Sequence, residues 1–174
     1  RTGRFPLCVH CGISGVTKKE ETLADGAATV AALSAAVTAM DDEEVTATGR
    51  YLFITPTLLQ GINDMDTTKS KKVLEGFEQV IKVPQRRFYT AIKQLSGKTG
   101  EEAGGYTKAA GAANINFAIV QKDALIQYTK HAAPKIIAPE NTGADAYVFG
   151  YRMVGIAKAY KNMLSGMYFS HDKA

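Results

Sequence analysis

Between residues 23 and 44 the apolar positions recur at spacings of three and four: Val30, Leu33, Val37 and Met40 form one stripe, with alanines on its flanks. That period is one face of an amphipathic helix. Thr22 followed three residues later by Asp25 has the spacing of a capping box, with Asp in place of Glu or Gln, and Gly26 is expected to delay the first turn. The pattern changes at Tyr51-Leu52-Phe53-Ile54, a compact β-favouring run. Thr55-Pro56 then supplies an N-cap and a proline at the first helical position, so a strand, a tight turn and a short helix ending near Gly61 are predicted. Residues 77–83, closed by Pro84, form a second strand candidate, and residues 115–120 alternate as a third. Residues 124–131 give a further short element before Pro134 and Pro139. The final stretch, 147–169, is rich in Tyr, Val, Ile and Met and fits two long strands broken near Lys161-Asn162, with Ser165-Gly166 adding a bulge.

Between these elements the punctuation is equally local. Gly3, Pro6, Gly12 and Gly15 make residues 1–21 a connector with at most one short ordered piece. Five glycines between residues 95 and 113 (Gly97, Gly100, Gly104, Gly105 and Gly111) mark a loop or a long tip. Helices and strands mix without a repeating strand-helix-strand rhythm, which favours an α+β fold with largely antiparallel pairing.

Composition narrows the function classes. At 45% hydrophobic and 22% charged, the 174 residues are ordinary for one domain with a single core. The formal charge of +4 comes from scattered residues and gives a mild bias toward polyanions. Lys69-Ser70-Lys71-Lys72 and Gln85-Arg86-Arg87 are too short and too far apart for a nucleic-acid footprint. Two cysteines make no disulfide framework, which makes a reducing cytoplasm the default expectation. No run approaches the ~20 uninterrupted apolar residues of a membrane span. The chain begins at Arg1 without a signal pattern, so an upstream segment is expected.

Candidate chemistry is sparse. In Cys8-Val9-His10-Cys11 two cysteines three apart could bind zinc or cycle as a dithiol, but a structural site needs a second pair. His131 and His171 would complete it only through a coincidence of folding. No nucleophile elbow, Walker loop, dinucleotide fingerprint or His-Glu-x-x-His is present. Glu101-Glu102 and Asp41-Asp42-Glu43-Glu44 are adjacent in sequence and do not face one another as a catalytic pair must. The second run is read as solvated surface at a helix carboxyl end, where the dipole disfavours it. Arg87-Phe88-Tyr89 is the one candidate base-stacking platform, and core packing is favoured for it and for the other aromatics. No catalytic, cofactor or metal residue is assigned, and the chain is expected not to be an enzyme.

Taken in order, the blocks resemble a known family. Gly49-Arg50-Tyr51-Leu52-Phe53-Ile54-Thr55-Pro56, Val80-Ile81-Lys82-Val83-Pro84 and Arg87-Phe88 come first. Ile115-Asn116-Phe117-Ala118-Ile119-Val120, Ile126-Gln127-Tyr128-Thr129-Lys130-His131 and Pro134-Lys135-Ile136 follow. Ala144-Asp145-Ala146-Tyr147-Val148-Phe149-Gly150-Tyr151-Arg152 and Gly166-Met167-Tyr168-Phe169 complete the series. It is similar to major capsid proteins of tailed bacteriophages with the Hong Kong 97-type fold. The resemblance covers nearly the whole chain, less the family's amino-terminal arm, extended hairpin loop and most of its spine helix. Met153-Val154-Gly155-Ile156 stands where relatives are more polar and aromatic, making strand pairing there the point to check.

The resemblance implies a mixed or antiparallel sheet with flanking helices. Residues 1–22 would be a connector belonging to the peripheral domain, 23–147 the axial domain, and 148–174 strands returning to the peripheral domain. It implies a virion shell subunit that forms hexameric and pentameric capsomers around double-stranded DNA and is assembled in the bacterial cytoplasm. Scaffolding and portal proteins would be partners, with no membrane and no cofactor. An encapsulin-like cellular shell protein and a small basic nucleic-acid-binding domain are the competing readings.

Overall fold

The computed structural model describes residues 15–65, 68–101, 104–139 and 146–173. Its centre is a five-stranded sheet in the order β1-β9-β6-β2-β3, formed by Thr17–Glu20, Met167–His171, Ile115–Gln121, Arg50–Ile54 and Gln79–Lys82. The two outer pairings, β1 with β9 and β2 with β3, are parallel, and the inner ones are antiparallel. The sheet is therefore mixed. The connector contains the short ordered piece β1, whose register of Thr17 with Tyr168 through Glu20 with His171 joins the two ends of the described chain. Asn116 strengthens that closure by donating through Nδ2 to the Glu21 carbonyl at 2.9 Å, while Ser170 Oγ donates to Glu21 Oε1 at 2.7 Å.

Strand β6 was expected to alternate between core and solvent, yet every one of its residues is buried. It is the middle strand, and both sheet faces are covered. Phe117 and Ile119 join Leu52, Ile54 and Tyr168 beneath the helices, while Ala118 and Val120 pack with Phe88, Met167 and Phe169 on the opposite face. A register shift between Ile115 and Phe117 moves Ile115 to that second cluster.

Helix α1 spans Gly26–Asp42, shorter at both ends than the predicted 23–44. Asp25 is its N-cap and accepts from the Ala28 N–H at 2.7 Å, so the cap is a single Asp and not a box beginning at Thr22. Of the predicted stripe, Val30, Leu33 and Met40 are buried, but Val37 is only half-buried because Ala36 occupies the deepest line of contact. A charge at Val37 is thus better tolerated than the periodicity alone implies. The helix closes in a Schellman motif: Val45 N–H donates to the Met40 carbonyl and Glu44 N–H to the Asp41 carbonyl, both at 3.0 Å. Glu44 adopts φ 56°, a left-handed conformation that suits glycine. Replacing Glu44 by Gly should therefore stabilise the fold by about 1 kcal/mol in urea melts.

Helix α2 spans Pro56–Asp64, running through Gly61 where it was expected to stop. It continues because Gly61 lies at the crossing with α1, close to Gly26, where the missing side chains let the two backbones meet. Helix α3, Thr68–Glu75, was read only as a basic group; its lysines are exposed and Ser70 is its buried residue.

Candidate functional site

Nothing in the described residues concentrates catalytic chemistry. Cys8 and Cys11 lie outside them. His131 and His171 sit in different sheets, the first opposite Val154 and the second opposite Ile115. Among the described residues no group of three or more His, Cys, Asp or Glu is placed to hold a metal ion. Of Arg87-Phe88-Tyr89 only Phe88 is fully buried in the core, while Tyr89 lies half-buried with Lys108 Nζ 5.6 Å from its ring centre.

The glycine-rich tract proves to be a hairpin tip. Ile92–Gln94 (β4) pairs antiparallel with Tyr106–Lys108 (β5), and Gly97, Gly100, Gly104, Gly105 and Gly111 all take positive φ in open space. Their role is conformational. Glu101 pins the tip, accepting from Ser96 N–H at 2.7 Å, from Ser96 Oγ at 2.8 Å and from Lys93 Nζ at 3.0 Å. The Ser96 amide and hydroxyl, with the Lys93 ammonium, hold the Glu101 carboxyl down at about 2. Because this folded value lies below the free one, the pinning is fully present above the ordinary carboxylate range and is lost as pH falls toward 2. A carboxylate titration followed by NMR should show the Glu101 midpoint well below the ordinary carboxylate value, and Ser96→Ala should raise it.

The surface that stands out is a second, two-stranded sheet. Leu125–Ile137 (β7) and Val148–Ala159 (β8) form a long antiparallel ribbon, and nearly every residue along both strands is exposed. The short element expected at 124–131 runs on through Pro134, which a two-stranded ribbon tolerates because each strand has an open edge. Strand β9 follows after a 3-10 segment, Lys161–Gly166, so the break expected near Lys161-Asn162 is present, while Gly166 ends that segment in place of forming a bulge. Met153-Val154-Gly155-Ile156 pairs with Ala132, His131, Thr129 and Tyr128, and the ribbon's register shift falls within this segment, opposite Val154 and Gly155.

Register sorts the ribbon's side chains into two unlike faces. A shift at Lys130, between Thr129 and His131, reverses the parity of β7 midway. On one face of the distal half, Ala132, Pro134 and Ile136 oppose Met153, Tyr151 and Phe149, with no charge among them. Tyr147 and Phe149 extend that face with ring centres 6.4 Å apart. The other face carries His131, Lys135, Arg152 and Lys158 among Tyr128, Val154 and Ile156. At the ribbon's root, Ile126, Tyr128, Ile156 and Tyr160 with Lys158 and Lys161 line a shallow groove of about 510 Å³. Exposure reaches 65% at Tyr128, 69% at Tyr151 and 74% at Phe149. The aromatics of this region were expected in the core and are instead its opposite.

Such a ribbon is incomplete by itself. Two strands alone are marginal in water, and a large exposed apolar patch marks an interaction surface. Two signals in the sequence could have revealed it: residues 125–137 and 148–159 contain no Asp or Glu, and Tyr147, Phe149, Tyr151 and Met153 recur at every second position, separated by Val148, Gly150 and Arg152.

With this geometry in view, two solved structures share the fold. A structure from Mycobacterium phage Che8 superposes with a TM-score of 0.52 at 8% identity, covering 89% of this chain and 53% of that one. The capsid structure of the cyanophage P-SCSP1u gives 0.53 at 17% identity, covering 91% and 53%. The chain spans about half the length of each. The mixed sheet with helices and the protruding ribbon thus form part of a phage-capsid-like α+β fold. No protein-family model matches the sequence, and no curated protein does.

Proposed function

We propose that this chain is the carboxy-terminal part of a tailed-bacteriophage major capsid protein of the Hong Kong 97 type, a shell subunit and not an enzyme. The observation that carries the reading is the superposition of 91% of the chain on a cyanophage capsid structure. The ribbon supports it from the side of physics. A shell subunit buries its exposed apolar surface against neighbours, and many weak contacts close a shell when symmetry multiplies them. On this reading residues 23–147 form most of the axial domain, onto whose strands β8 and β9 from the flanking residues pair, with β1 added beyond β9. Hexameric and pentameric capsomers, packaged DNA, and scaffolding or portal proteins would be the partners.

Electron microscopy of the polypeptide carrying its upstream segment tests the proposal: shells or capsomers are expected, and a monodisperse monomer at high concentration would overturn it. The 174-residue chain alone should sediment as monomer or loose small oligomers, since a single such contact falls below about 1,200 Å². Closed particles from the chain alone would show that no upstream segment is needed and that its placement in the shell is wrong.

A further inference from the structure

The ribbon concentrates charge as well as apolar surface. Its strands hold Lys130, Lys135, Arg152 and Lys158 and no acid, a total equal to the +4 of the whole chain, so the remaining residues balance at 17 of each sign. The densest exposed counter-charge is the Asp41-Asp42-Glu43-Glu44 run at the end of α1. Arg50 holds Asp41 at 2.6 Å, while Asp42 and Glu43 stand exposed beside it. This corner and the ribbon's root share one end of the central sheet: Arg50 pairs with Gln121, and Lys122 N–H donates to the Gly49 carbonyl at 2.8 Å just before β7 begins. From there the 13 residues of β7 reach about 40 Å.

We propose that the cationic face of the ribbon docks on the Asp42 and Glu43 corner of a second copy of this chain. Each copy then offers both surfaces, a head-to-tail contact that propagates around a ring. The inference rests on the shell reading above and names the partner of the ribbon. A second copy fits better than a nucleic acid because the cations of this face are interleaved with exposed Tyr128, Val154 and Ile156, apolar side chains that a phosphate backbone leaves in water. It also fits on charge, because the ribbon's excess of cations meets the exposed carboxylates of Asp42 and Glu43, and like faces of two ribbons repel.

The test is a charge swap in the 174-residue chain, read by sedimentation equilibrium at ~50 mM and ~500 mM salt. The unaltered chain should self-associate weakly at low salt and at least tenfold less tightly at high salt. Lys135→Glu with Arg152→Glu, and separately Asp42→Lys with Glu43→Lys, should each weaken association about tenfold or more. An equimolar mixture of the two variants should restore it to within about threefold. All four positions are exposed, and circular dichroism checks that folding is retained. Absence of low-salt association, indifference to either reversal, or no recovery in the mixture overturns the proposal. A short DNA duplex is the competing ligand: duplex binding lost on ribbon reversal, with self-association untouched by corner reversal, assigns the face to nucleic acid and also overturns it. Shells that form from the longer polypeptide despite both reversals would sink this contact alone, whereas charge-rescued association without shells would sink the shell reading alone.

Discussion

Gly26→Ala should cost roughly 3–4 kcal/mol and lower the melting temperature by on the order of 10 °C, the largest effect expected of any single methyl group in this chain. A Cβ built at Gly26 would run into the Gly61 carbonyl oxygen and stand 2.7 Å from its carbon. Both obstacles are backbone of α2, so no side-chain rotation relieves them, and the two helices must move apart. That movement opens the cluster in which Leu33, Met40, Leu59 and Ile62 pack on Leu52 and Ile54. The reverse substitution is the control. A Cβ at Gly61 meets only the Gly26 backbone at 3.5 Å, an ordinary contact, and Ala is the better helix former. Gly61→Ala should therefore leave the melting temperature unchanged or raise it by a few degrees. Equal losses from the two substitutions would mean that the crossing is not as close as the backbone geometry has it.

That crossing also marks where sequence reasoning stops. The stripe of Val30, Leu33 and Met40 and the Tyr51–Ile54 run are legible because periodicity and β-branching are local properties. Gly61 reads as a helix terminator by the same local logic, whereas its role depends on a residue 35 positions earlier in the chain. Helix α3 was hidden for a related reason: its three lysines dominate the pattern, and the small Ser70 is what it buries.

The ribbon was less legible than the core. Register is decided by pairing, and the shift at Lys130 puts Tyr128 and His131 on one face although they are three residues apart. A period-two reading therefore fails across residues 124–137. Pro134 reads as a strand end unless the strand is known to have an open edge. The aromatic content of 147–169 pointed toward a core because aromatics are usually inside, which holds for Tyr168 and Phe169 and fails for Tyr147, Phe149 and Tyr151. What the composition did contain, and what position along the chain concealed, is the absence of acids from both strands.

The Asp41-Asp42-Glu43-Glu44 run was read as solvated surface, which holds for its exposure but misses what Arg50 does. Arg50 is 2% exposed and donates to Asp41 Oδ1 at 2.6 Å, to the Thr46 carbonyl at 3.1 Å and to the Val45 carbonyl. Asp41 is half in water, with 54% of its side chain exposed. The guanidinium is thus more a cap for carbonyls beyond the end of α1 than half of a buried ion pair. These partners differ in how they respond to substitution. Asp41→Asn leaves a group that water can serve and should cost at most about 1 kcal/mol. Arg50→Met keeps the packed stem but strips donors from two carbonyls and removes the charge facing Asp41, for an expected loss of roughly 3 kcal/mol. Arg50→Lys, with one ammonium in place of a planar fork, should fall between the two. Urea melts of the three variants decide the matter. If Asp41→Asn proves as damaging as Arg50→Met, the ion pair is the anchor, and the carbonyl contacts that join α1 to the first residue of β2 are secondary.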